Sequence, residues 1–356
     1  MSGSTVITLS RPDKLNALDL GMVKSLGAAM ERDDGEGRQT IINGSGRAFC
    51  AGGDINVFLG AKRAPMDVES PDLEFFRNLF QLMNLIGETA SQRICLVHGP
   101  AAGTGMCMSM LSGSCVITQD SSFSMPETII GLTPSAGGSY FLPAFPKNIG
   151  IYLGLLGGKI TAREAVSLGI ATHTTTPDDI RNMLLEAPMH DTLEILEEHA
   201  AESEREWPEE WGPDSGPTLA HADAIERCFS HTSMQDIREA LRSEASSRGV
   251  HAGWAQEQLK ELETRPPLCL AVSLESLSRG RATPDLGTCL RDELRATRRL
   301  LAGSDFGEAV ACRFGSRKGQ APRWEVEGDP TRDQVLEHFE PMPADADLDM
   351  SMPGWG

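Results

Sequence analysis

Three glycine-rich stretches, each beginning where a short strand pattern ends, constrain this chain more than any other feature. They are Gly44-Ser-Gly-Arg-Ala-Phe-Cys-Ala-Gly-Gly-Asp-Ile55, His98-Gly-Pro-Ala-Ala-Gly-Thr-Gly105 and Ser124-Met-Pro-Glu-Thr-Ile-Ile-Gly-Leu-Thr-Pro-Ser-Ala-Gly-Gly138. The second runs from a strand pattern into a helical one, so its free backbone N–H groups fall where the helix dipole is positive. Two such donors converging on one oxygen would make an oxyanion hole. Taken singly, each stretch needs no more explanation than tight turns. A phosphate cradle lacks its signature, because neither G-x-x-x-x-G-K-[ST] nor G-x-G-x-x-G after a strand occurs.

The segments between these loops alternate. Val6–Leu9, Thr40–Ile42, Ile94–Val97, Cys115–Thr118 and Ser122–Ser124 read as strands; Asp19–Met30, Leu73–Ile86, a helix opening at Met106 and Ala162–Leu168 carry helical spacing. This alternation over about 170 residues predicts an α/β layer architecture with parallel strands. After Pro177 the pattern turns helical, with Leu184–Ala201, Ala222–Phe229, Met234–Leu241, Trp254–Leu262 and Leu286–Leu301. The expected division is a core over 1–177, an acidic helical connector over 178–221, a helical C-terminal region over 222–340 and a mobile tail over 341–356, which has no hydrophobic period.

Charge excludes some functions. With 51 acidic and 32 basic side chains the net charge is −19, so the mean surface repels nucleic-acid backbones and anionic membranes. Between Asp178 and Ser215 stand thirteen acids and only Arg181 and Arg205 as bases, a solvated acidic face. No run of about eighteen apolar residues is present, so no transmembrane helix is expected. The eight cysteines include no C-x-x-C pair; reduced thiols, and no metal, are expected. The opening residues pass into a strand pattern with neither an Arg-rich amphipathic stretch nor an apolar signal core, so no presequence is expected in this chain.

Ordered motifs at matching spacing resemble the crotonase (enoyl-CoA hydratase/isomerase) superfamily, and within it most closely the 3-hydroxyisobutyryl-CoA hydrolases. They are Ile7-Thr-Leu-Ser-Arg-Pro-Asp-Lys-Leu-Asn-Ala-Leu18, Arg47–Ile55, Phe75-Phe-Arg77, Ser124-Met-Pro-Glu-Thr128, Gly137–Pro143 and Gly169–His173. Asp305-Phe-Gly-Glu-Ala-Val310 and Ala321-Pro-Arg-Trp324 resemble the hydrolase branch in particular. The resemblance implies a spiral of ββα turns with a helical C-terminal region, holding an acyl-CoA thioester. By motif position the thioester oxygen would meet the amides of Gly53 and Thr104, with Glu127 as the principal catalytic carboxylate. Thr104 stands where the family usually has glycine. The only cofactor-like group implied is coenzyme A as part of the substrate, and the family compartment is the mitochondrion.

Three positions depart from the family pattern. A hydratase needs a second glutamate where this chain has Cys107, so hydration of a double bond is disfavoured. The hydrolases carry an aspartate where this chain has Ser135, which can hydrogen-bond a water or hydroxyl but is too weak an acid to serve as a base. Their substrate-binding glutamate matches Leu79, beside Asn78. Hydrolysis of a short branched 3-hydroxyacyl-CoA is therefore the leading expectation, with Glu127 and Ser135 in the catalytic positions. A catalytically impaired homologue built into a mitochondrial assembly such as the small ribosomal subunit is the alternative, and single-glutamate enoyl-CoA isomerisation is the third. A homo-oligomer or a protein partner is compatible with each.

Lys14, Arg47, Lys62 and Arg63 are the candidates for CoA phosphates. His98 and His173 are read as packing histidines rather than bases, and Trp207 and Trp211 as anchors onto the core or a partner. No G-x-S-x-G elbow supports a serine nucleophile.

Overall fold

The computed structural model describes residues 4–55, 71–180, 216–350 and 355. Strands β1 (Thr5–Leu9), β2 (Thr40–Gly44), β3 (Arg93–Val97), β5 (Ser114–Ile117) and β8 (His173–Thr174) lie side by side in that order, all parallel. A second sheet holds β4 (Pro100–Ala102), β6 (Ser122–Ser124) and β7 (Ile160–Thr161), with β7 antiparallel to β6. Every residue of β2, β3 and β5 is buried, which is why these strands read as apolar runs instead of alternating. The parallel α/β architecture is the one the sequence led us to expect.

The middle turn of the spiral runs strand, strand in the other sheet, then helix. β3 passes through Gly99 into β4, then α3 (Thr104–Leu111) returns the chain to β5. Gly99 has φ +59°, and a Cβ there would lie 2.2 Å from the Arg47 carbonyl oxygen. Only glycine lets the two loops cross at this point. Between β1 and β2, α1 (Leu20–Glu36) starts at Asp19, whose carboxylate accepts from the Met22 amide at 2.9 Å, and stops at Gly37 with φ +66°. α2 (Pro71–Glu88) precedes β3, while α4 (Gly138–Phe141), α5 (Ile149–Leu156) and α6 (Ala162–Ser167) follow β6.

The C-terminal helices are α7 (Ala222–Phe229), α8 (Met234–Ser246), α9 (Ala252–Glu263), α10 (Pro267–Ala282), α11 (Leu286–Ala302) and α12 (Asp305–Arg313). They share one apolar core with the spiral, in which Leu18, Phe80 and Met106 are continuous with Leu277, Leu294 and Phe306. α5 and α10 are among the helices that periodicity misses. All eight residues of α5 are buried, and half of α10's sixteen, so neither presents the single apolar stripe that marks a surface helix. Among the described residues no helix is long and apolar enough to cross a membrane.

The stretch from 341, expected to be mobile, is corrected by its packing over 342–349. Met342, Ala346 and Leu348 are buried, Asp347 pairs with Arg295, and the Asp347 and Asp349 carbonyls accept from Arg77 and Gln81. Few but well-spaced apolar residues suffice when charged neighbours find partners on α2 and α11. Most of the acidic connector, with Trp207 and Trp211, lies outside the described residues.

Candidate active site

The first glycine loop is built by the segment before it. Arg11 donates to the Ala17 carbonyl and pairs with Asp54 at 2.9 Å. Asn16, in a left-handed conformation and fully buried, donates to the carbonyls of Ser45, Ala48 and Phe49 and accepts from the Arg11 amide. The Arg-Pro-x-x-x-Asn-Ala-Leu motif is thus a staple that fixes the Gly44–Ile55 loop.

Gly53 and Thr104, one from each of the first two loops, line one cavity of about 260 Å³. Gly53 bridges to Leu18, but the bonds of that bridge run from the Leu18 amide to Gly52 O and from the Asp54 amide to Leu18 O, leaving the Gly53 N–H outside the ladder. Thr104 opens α3, and its N–H is one of the helix's unsatisfied first donors. Gly52, with φ +93°, is what brings them together: a Cβ there would lie 3.5 Å from the Thr104 nitrogen and 3.1 Å from Ala102 O.

Glu127 enters the same cavity from the turn after β6. Its Oε2 is sealed from solvent and has no hydrogen-bond partner. A Cβ on Gly103 would stand 2.9 Å from Oε1, so the carboxyl rests against bare backbone. Burial in apolar surroundings pushes its pKa up to about 8; its own amide pulls it back down and the nearby Glu293 carboxylate pushes it further up. A carboxylic acid of that strength can gain or lose its proton near neutral pH.

Leu79 is buried in α2 and, with Phe75 and Phe76, forms an apolar wall of the cavity. Asn78 does not line it; its amide group donates to Glu74 O one turn back. Ser135 also lines the cavity, and its carbonyl accepts from the Gly138 amide and from the Cys107 thiol at 3.3 Å. The Cys107 thiol is pushed well above its ordinary range by burial first and by Glu127 and Glu293 next, so it is an inert packing group here. Lys14 and Arg47 are exposed and do not line the cavity, while Lys62 and Arg63 lie outside the described residues. His98 bonds Gly46 O and His173 bonds Thr172 Oγ1, both away from the cavity.

Sequence reasoning missed two contributors. Phe314, 64% exposed, lines the cavity from the end of α12, where nothing in its local pattern marks it. Glu293 is fully buried on α11, and it did leave a signal: a charge set among Leu290, Leu294, Thr297 and Leu301, on the stripe that faces the core.

Comparison with known proteins points to one family. The family model described as enoyl-CoA hydratase/isomerase matches residues 4–339. The mitochondrial 3-hydroxyisobutyryl-CoA hydrolase of Homo sapiens is 32% identical over 94% of this chain and 85% of its own length. The mitochondrial 3-hydroxyisobutyryl-CoA hydrolase-like protein 1 of Arabidopsis thaliana is 33% identical over 98% and 86%. Among solved structures, a carnitinyl-CoA dehydratase from Mycobacterium thermoresistibile superposes with a TM-score of 0.82 at 25% identity, covering 99% of this chain and 97% of that one. An enoyl-CoA hydratase from Rhodobacter sphaeroides gives 0.79 at 28% identity, covering 98% of each.

Proposed function

Because the chain belongs to the enoyl-CoA hydratase/isomerase family, we propose that it hydrolyses an acyl-CoA thioester, of the short branched 3-hydroxyacyl type for which its curated relatives are named. The observation that carries this reading is Glu127, whose Oε2 is sealed and unpartnered, in an apolar cavity that Gly53 and Thr104 also line.

In this mechanism the Gly53 and Thr104 amides hold the thioester oxygen and gain strength as it becomes an oxyanion. Ionised Glu127 takes a proton from water, the resulting hydroxide adds to the carbonyl carbon, and the C–S bond breaks. The proton on Glu127 passes to the departing sulfur, so acid and CoA thiol leave and the carboxylate is restored. Attack by Glu127 itself is the covalent variant: a mixed anhydride forms, CoA leaves as thiolate, and water cleaves the anhydride. Ser135 positions the water or the substrate hydroxyl. Lys14, Arg47, Lys62 and Arg63 are the side chains proposed to meet the CoA phosphates. The reading calls for no cofactor and, by kinship with the mitochondrial relatives, sets the reaction in the mitochondrion.

The test is release of free thiol from 3-hydroxyisobutyryl-CoA and a panel of other acyl-CoAs by wild type, Glu127→Gln and Ser135→Asp. Wild-type turnover that Glu127→Gln abolishes supports hydrolysis. A wild type indistinguishable from Glu127→Gln on every substrate refutes it. The apolar Leu79 and neutral Ser135, at positions where the resemblance implies carboxylates, favour a second reading, a scaffold retained for contacts with protein partners. Thiol release gained only by Ser135→Asp would mark an enzyme scaffold that has lost its chemistry, and co-sedimentation with ribosomal particles would test the structural role independently.

A further inference from the structure

Glu293 lies in α11, 154 residues beyond Ser139, yet its carboxylate is wholly buried against the loop that carries Ser135. Oε2 accepts from the Gly137 amide at 2.8 Å; Oε1 accepts from the Ser139 amide at 2.7 Å and from Ser139 Oγ at 2.6 Å. The loop it grips is not one the backbone would hold alone, because Ala136 sits at φ +60° and Gly137 at φ +101°. Ser135 immediately precedes these two residues, and its carbonyl is tied to Cys107 on α3.

We propose that Glu293 is a positioning residue for the reaction: by clamping Gly137 and Ser139 from the C-terminal helices, it sets Ser135 at the cavity wall and holds a negative charge behind Glu127. The proposal rests on the thioester-hydrolysis reading for its kinetic consequences, though not for its geometry. Burial pushes the Glu293 pKa up to about 7 and the three donors pull it back down, so the carboxyl carries its charge above about neutral pH, where that charge raises the proton affinity of Glu127. The other titratable groups that face this pair are Cys107 from α3, Cys269 from α10, and Cys289 and Asp292 from α11. Glutamine at 293 would keep the shape and lose the charge, and it would turn an N–H₂ group toward an N–H donor. Aspartate would keep the charge on a shorter arm.

The test uses the full chain in four forms, wild type, Glu293→Gln, Glu293→Asp and Ser139→Ala. Two readouts are taken from pH 5 to 9, namely kcat and KM for thioester cleavage and the ionisation of Glu127 in the ligand-free protein. The latter is followed by its carboxyl ¹³C resonance, assigned with Glu127→Gln. In Glu293→Gln, kcat falls about 10- to 100-fold with KM nearly unchanged, the cost of a misplaced loop. The Glu127 midpoint moves to lower pH by about half a unit or more, because a like charge has gone. Glu293→Asp restores the midpoint and part of kcat; Ser139→Ala loses about 3- to 10-fold in kcat with the midpoint in place. Folded Glu293→Gln with wild-type kcat and midpoint overturns the proposal, as does a kcat loss that only tracks loss of folded protein. Should Glu293→Gln not fold, an unchanged kcat in Ser139→Ala overturns it. Should Glu127→Gln match wild type in thiol release on every substrate, the functional reading fails by itself. The carboxyl titration then decides Glu293 alone, an unmoved midpoint counting against it.

Discussion

Glu127 and Glu164 both place their carboxyl oxygens inside the protein, and their surroundings treat them in opposite ways. Glu164, fully buried at the start of α6, accepts from the Thr161 amide and hydroxyl through Oε2 and from the Thr218 and Leu219 amides through Oε1. It ties the spiral to the segment that leads into the C-terminal helices. Glu127 has an oxygen with no partner and a cavity in front of it. A carboxylate with every lone pair engaged holds structure, whereas one left desolvated and bare stores free energy that a substrate can release. Glu293 shares both characters, since it is satisfied like Glu164 yet sits behind the reactive group.

The contrast breaks first, and most visibly, on activity. Glu127→Gln should lower thioester hydrolysis about 10³-fold or more at saturating substrate, because it removes the proton acceptor and the nucleophile together. Glu164→Ala should leave kcat per folded molecule unchanged but destabilise the protein by about 3 kcal/mol, since four buried or part-buried donors lose their acceptor. Denaturant melts paired with active-site titration separate the two effects. Gly103→Ala should cost about 100-fold in kcat, because its Cβ would press on Glu127 Oε1 at a backbone angle that disfavours any side chain. A further prediction concerns pH and stability. Folding raises the Glu127 pKa from 4.5 to about 8, so its protonated form fits the fold better. Its contribution to stability is complete below the unfolded value and is lost as pH rises through about 8. Glu127→Gln should therefore melt at higher temperature than wild type at pH 8.5, with the difference closing by pH 5. The smallest effect is expected at the cavity mouth, where Phe314→Ala should raise KM about 2- to 5-fold and leave kcat in place.

Much of this could be read from the chain. The loops at Gly52–Gly53 and Gly103–Thr104 were legible because close backbone approach leaves glycines at fixed spacing, and the parallel strands because double-sided burial leaves apolar runs. Glu127 was legible only through the motif around it; alone, a glutamate after Met-Pro looks like a turn residue. α5 and α10 were not legible, since helices buried on most faces carry no amphipathic stripe. The seating of 342–349 was hidden too, because it depends on Arg77, Gln81 and Arg295, which are distant in sequence and ordinary in composition. Arg47 and Lys14 were candidates by proximity to a loop, but proximity in sequence did not bring either to the cavity wall.

The most direct test of the central claim is the pH dependence of kcat/KM for thioester cleavage by the wild-type chain. Activity that rises with a midpoint near 8, with that limb missing from the residual activity of Glu127→Gln, is the result expected of a desolvated carboxyl with one unpartnered oxygen acting as base or nucleophile. A profile that is flat from pH 5 to 9, or that rises at the ordinary carboxylate value and persists in Glu127→Gln, would contradict it.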